Sequence, residues 1–76
     1  MTTIAQVVDG LEILAKTARV PAGLAAQGVT DKRTAIVSTD FDGAIIGPIA
    51  EPSEEDQDKL VALGWYCDDE CWCIFA

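Results

Sequence analysis

Residues 52–76 read PSEEDQDKLVALGWYCDDECWCIFA, and this stretch decides the architecture. Ser53 is a strong N-cap, because its hydroxyl can accept from an unpaired amide of the first helical turn, and Glu54, Glu55 and Asp56 follow where the helix dipole favours negative charge. Leu60, Val61 and Leu63 supply an apolar side, and Gly64 can adopt the left-handed conformation that stops the helix. A helix over residues 54–63 is therefore expected, with Trp65 folding back against its last turn near Leu60. The aromatic and small apolar residues that follow suit a pleated, half-buried surface, so residues 65–67 and 71–75 read as two short strands. Asp68, Asp69 and Glu70 form the turn between them.

The first part of the chain carries its own periodicity. Thr3 and Gln6 have capping-box spacing, and Ile4, Val7, Val8, Leu11, Leu14, Ala15 and Ala18 recur at three and four residues, which predicts an amphipathic helix over residues 4–18. Asp9, Glu12, Lys16 and Arg19 lie off that stripe, and Glu12 with Lys16 has the spacing of a helical ion pair. Gly10 weakens the middle of such a helix by about 1 kcal/mol relative to alanine, which points to another element packing close there. Residues 20–28 read as a loop with at most one helical turn, since Pro21 suits a helix start and Gly28 a stop while Gly23 suits neither.

Residues 34–39 are rich in β-branched side chains and read as a strand, Asp42-Gly43 as a two-residue turn, and residues 44–46 as the returning strand. The expected fold is α+β, in the order helix, hairpin, helix, hairpin: a small antiparallel four-stranded sheet with two helices on one face. With 76 residues the chain is a single domain, and half of those residues are apolar, which argues for a folded globule. It contains no apolar run of membrane-spanning length and no basic-then-apolar leader, so a cytoplasmic location is expected. Three cysteines within seven positions do not suit a secreted disulfide framework.

Charge is the most informative global property. Residues 1–34 carry Asp9, Glu12 and Asp31 against Lys16, Arg19, Lys32 and Arg33, a net +1, whereas residues 35–76 carry ten acids against Lys59 alone, a net −9. Such a surface repels nucleic acid and anionic lipid and speeds encounter with basic partners; the plain alternative is that it serves solubility.

Two constellations invite a chemical test. Ser38, Asp40 and Asp42 before Gly43 have the opening spacing of a calcium loop, but the closing glutamate position is Ile49 and the flanks read as strands. Cys67, Cys71 and Cys73 resemble part of a zinc site, yet a closed site wants four ligands and the chain has no histidine. With a three-residue loop, Cys67 and Cys71 would face each other. No metal ligand set and no cofactor site is assigned. Catalysis is not expected, because general acid–base work at neutral pH usually recruits histidine and the carboxylates sit where turns and a helix start already account for them.

The segment Glu51-Pro52-Ser53-Glu54-Glu55-Asp56, followed by Leu60, Leu63-Gly64-Trp65, an acidic turn and Trp72-x-x-Phe75, resembles the ending of small proteins encoded by phages and prophages. The likeness covers about a third of the chain. It implies a protein that occludes a host protein, as anti-CRISPR proteins do. On that reading the chain inhibits a host defence complex by occupying a basic nucleic-acid-binding surface, without itself touching nucleic acid or membrane. The expected partner-binding residues are Asp40, Asp42, Glu54, Glu55, Asp56, Asp58, Asp68, Asp69, Glu70 and Trp72, their carboxylates standing in for phosphates. The alternatives are a homo-oligomeric accessory or ligand-sequestering phage protein, with a homodimer formed through the helix stripe or the aromatic hairpin, and a small cysteine-based metal module.

Overall fold

The computed structural model describes residues 2–75. Helix α1 spans Ile4–Ala15, with Thr3 accepting from the Gln6 amide while the Gln6 side chain accepts from the Thr3 amide, a complete capping box. It stops short of residue 18, and Ala18 is nevertheless buried. A short helix, α2 (Ala22–Ala26), and a 3₁₀ turn (Lys32–Thr34) follow. Strands β1 (Ser38–Thr39) and β2 (Ala44–Ile46) form the first hairpin, α3 spans Glu54–Ala62, and β3 (Tyr66–Asp68) and β4 (Cys71–Phe75) form the second. All pairings are antiparallel, in the spatial order β1-β2-β4-β3. The domain is thus α+β with a four-stranded antiparallel sheet, and α2 and the 3₁₀ turn stand between its first helix and first hairpin.

The end of α3 forms as its sequence dictates. Ser53 accepts from the Asp56 amide, Gly64 takes a φ of 96°, and the Trp65 amide donates to the Leu60 carbonyl at 2.9 Å while that of Gly64 donates to Val61 at 3.0 Å. This reversal drops the Trp65 ring into the core beside Leu14, Leu60, Trp72 and Ile74. Full burial of such side chains stabilises by about 1.5–3 kcal/mol each, so this cluster is the main source of cohesion. The indole Nε1 donates to the Gln6 carbonyl at 2.9 Å, and Gly10 leaves the room it needs. Gln6 also donates through its side chain to the Leu63 carbonyl at 2.9 Å, tying the start of α1 to the end of α3.

Several expectations are corrected. The strand predicted over residues 34–39 is only two residues long, because Asp31 caps the preceding 3₁₀ turn, its carboxylate accepting from the Arg33 amide at 2.9 Å. The first hairpin closes through three residues, Phe41-Asp42-Gly43. The Gly43 amide donates to Asp40 at 3.0 Å and that of Asp40 to Ala44 at 2.9 Å, so only Gly43 takes positive φ. The second hairpin turns through two residues, Asp69-Glu70, with Asp69 at a φ of 55°, and Asp68 lies opposite Cys71. Cys67 therefore opposes Trp72 and cannot face Cys71. Lys16 reaches across to Asp56 at 3.5 Å instead of pairing with Glu12.

The stripe on α1 divides. Gly10 and Leu14 are buried and Val7 and Leu11 pack against the core, whereas Ile4 and Val8 remain 83% and 44% exposed.

Candidate functional site: the open face of the sheet

Alternation along β4 sends Trp72 and Ile74 into the core beneath the helices and leaves Cys71, Cys73 and Phe75 on the opposite face. The register adds Tyr66 opposite Cys73, Asp68 opposite Cys71, and Ala44 and Ile46 opposite Phe75 and Cys73. Tyr66 and Phe75 stack diagonally across the strands, with ring centroids 5.6 Å apart and planes 26° from parallel. Beneath them Cys73 and Ala44 are buried, so this face holds a small apolar floor of its own.

Acidic side chains flank that floor. Burial raises the Tyr66 phenol above its ordinary value, and Cys73, once ionised at alkaline pH, and the carboxylates of Asp68, Asp40 and Asp42 raise it further. The Cys73 thiol is pushed up by burial first, then by Asp68, Cys71, Cys67 and Asp40, and so stays protonated at neutral pH. Asp40 and Asp42 arrive from the first hairpin turn, where the Asp40 carboxylate accepts from the Phe41 amide at 2.6 Å. Asp68 arrives from the end of β3. Of the predicted residues, Asp40 and Asp42 thus flank the aromatic pair from the Phe75 end of the sheet and Asp68 from the Cys71 end.

The other predicted acids lie elsewhere. Because β4 runs antiparallel to β2, the Asp69-Glu70 turn sits at the end of the sheet opposite the Phe41–Gly43 turn. The start of α3, with Glu54, Glu55 and Asp58 exposed, lies toward that same far end, since α1 and α3 run antiparallel through the Gln6–Leu63 and Lys16–Asp56 contacts. Asp56 is held by Lys16 at 3.5 Å and Lys59 at 3.9 Å, and its side chain is only 14% exposed, so it ties the two helices together. Trp72 is a correction: at 8% exposure it belongs to the core, because the two-residue turn sets its side chain beneath the helices. Tyr66 and Phe75, not singled out from sequence, take its place; the alternation of residues 71–75 carried the signal once the turn length was known.

The cysteines are free thiols on two faces, Cys67 on one and Cys71 with Cys73 on the other. Among the described residues no three His, Cys, Asp or Glu side chains come together as a metal site requires. Among the described residues, too, no helix is long and apolar enough to cross a membrane. Comparison with protein-family models, curated proteins and solved structures finds no match.

Proposed function

We propose that the chain is a small inhibitory binding protein whose open sheet face occupies a basic, nucleic-acid-binding surface of a host defence complex, in the manner of anti-CRISPR proteins. The observation that carries this reading is the open sheet face itself, on which the stacked Tyr66 and Phe75 are flanked by Asp40 and Asp42 at one end and Asp68 at the other. An arginine or lysine from a partner finds there carboxylates for charge-assisted hydrogen bonds and aromatic faces for cation–π contact. Glu54, Glu55, Asp58, Asp69 and Glu70 extend the negative field toward the other end of the domain and speed encounter. The phage setting and the defence target rest on the resemblance of residues 51–75, and the role asks for no cofactor and no catalytic step.

The test is a pull-down with the tagged protein from a lysate of a CRISPR-bearing bacterial host at about 0.1 M and about 1 M salt, between which the Debye length falls from roughly 10 Å to 3 Å. Recovery of a nucleic-acid-binding effector at low salt, lost at high salt and lost with the triple variant Asp40→Asn, Asp42→Asn, Asp68→Asn, supports the reading. Equal recovery by the triple variant overturns it.

A further inference from the structure

On the other side of the molecule, Ile4, Val8, Leu11 and Ala15 follow one another at spacings of four, three and four, the seam along which one helix packs on another. Among the described residues, nothing covers the start of that seam. Val8, Leu11 and Ala15 form one wall of a 440 Å³ groove whose other wall is Ala35 and Val37, and Ile4 and Val8 line an adjoining concavity. Ile4 is 83%, Val8 44% and Val37 47% exposed. The apolar floor thus runs the length of α1.

Charge decides what covers it. The rim carries Glu12 on one side and Lys32 and Arg33 on the other, Arg33 partly neutralised by Asp31 at 2.8 Å. At this groove a strongly basic partner meets Lys32 and Arg33, and a strongly acidic one meets Glu12, so neither sign alone complements the rim. A second copy brings a rim of both signs and the same apolar seam, and a two-fold contact uses one patch twice. We infer that the α1 groove is the contact of a homodimer, placed on the face away from the acidic sheet surface so that both copies keep that surface free.

The dimer carries −16 if its two copies each carry −8, and like charge opposes its formation. Added salt therefore strengthens the dimer while weakening capture of a basic partner, and this opposite sign separates the two proposals. The experiment is sedimentation equilibrium of the full chain over a range of concentrations, at low and high salt. Expected is a reversible monomer–dimer equilibrium that tightens with salt and is weakened at least about tenfold by Val8→Asp, the equivalent of losing one buried aliphatic contact. Val61→Asp, at an exposed apolar position on α3, serves as the control and leaves the equilibrium unchanged. Near-ultraviolet circular dichroism of Trp65 and Trp72 verifies that each variant is folded. A monomer at every concentration and salt overturns the inference, as does a folded Val8→Asp variant that dimerises like the parent.

Discussion

Replacing Gly10 with alanine sets two effects against each other with a clear winner. On helix propensity alone the change stabilises α1 by about 1 kcal/mol. In the folded domain a methyl group at Gly10 overlaps the indole of Trp65, meeting Nε1 and Cε2 and lying 2.8 Å from Cδ1. Trp65 is 2% exposed and packed against Leu60, so its ring has no free space into which to retreat. Moving it also breaks the 2.9 Å hydrogen bond from its Nε1 to the Gln6 carbonyl. Overpacking costs about 1–3 kcal/mol and a buried donor left without a partner about 1–3 kcal/mol. The net expectation is destabilisation by about 3 kcal/mol, a large share of the total for a domain of this size. Urea unfolding followed by tryptophan fluorescence measures it: with a slope of about 1 kcal/mol/M, the midpoint falls by about 3 M. An unchanged or higher midpoint for Gly10→Ala refutes the packing argument and leaves propensity as the dominant effect.

Tyr66 is the sole tyrosine, so its titration can be read directly from tyrosinate absorbance and should fall above the ordinary value of about 10, moving down when Asp40, Asp42 and Asp68 become asparagine. Because the folded pKa is the higher one, the stability tied to neutral Tyr66 is intact below the unfolded pKa and is lost as pH rises through the folded one; Cys73 acts with the same sign. With a thiol-alkylating reagent at neutral pH, exposed Cys67 is modified ahead of Cys73, which is 5% exposed and whose thiol burial pushes up; equal rates in the folded protein contradict the assigned register. Ser53→Ala removes the oxygen that accepts from the Asp56 amide and should cost about 1 kcal/mol in the same urea experiment, with a change near zero arguing against the cap.

What the sequence reveals is local. The helix start at Ser53, the stop at Gly64 and the return of Trp65 are each fixed by neighbours within one turn, and they appear in the structure at the expected residues. The Gly10 notch is legible for the same reason, as a residue costly to a helix unless something fills the space beside it. Where the reading goes astray, a distant or register-dependent choice intervenes. Residues 34–37 have strand propensity, but Asp31 commits the chain to a 3₁₀ turn, and Ile36 and Val37 stay exposed. Trp72 changes side with a single residue of turn length, since side chains alternate with a period of two. That Asp40, Asp42 and Asp68 border one aromatic-bearing face depends on β4 lying between β2 and β3, a pairing no short window of sequence encodes.

The most direct test of the binding face compares two variants of equal net charge, each lacking three carboxylates. Asp40→Asn, Asp42→Asn, Asp68→Asn empties the open sheet face, and Glu54→Gln, Glu55→Gln, Asp58→Asn empties the start of α3. Calorimetric titration with an arginine-rich peptide at low salt reads their affinities. The account predicts at least about a tenfold loss for the first and less than about a threefold loss for the second, tenfold corresponding to about 1.4 kcal/mol. Equal losses would mean that total charge alone governs binding, and that the sheet face is no site.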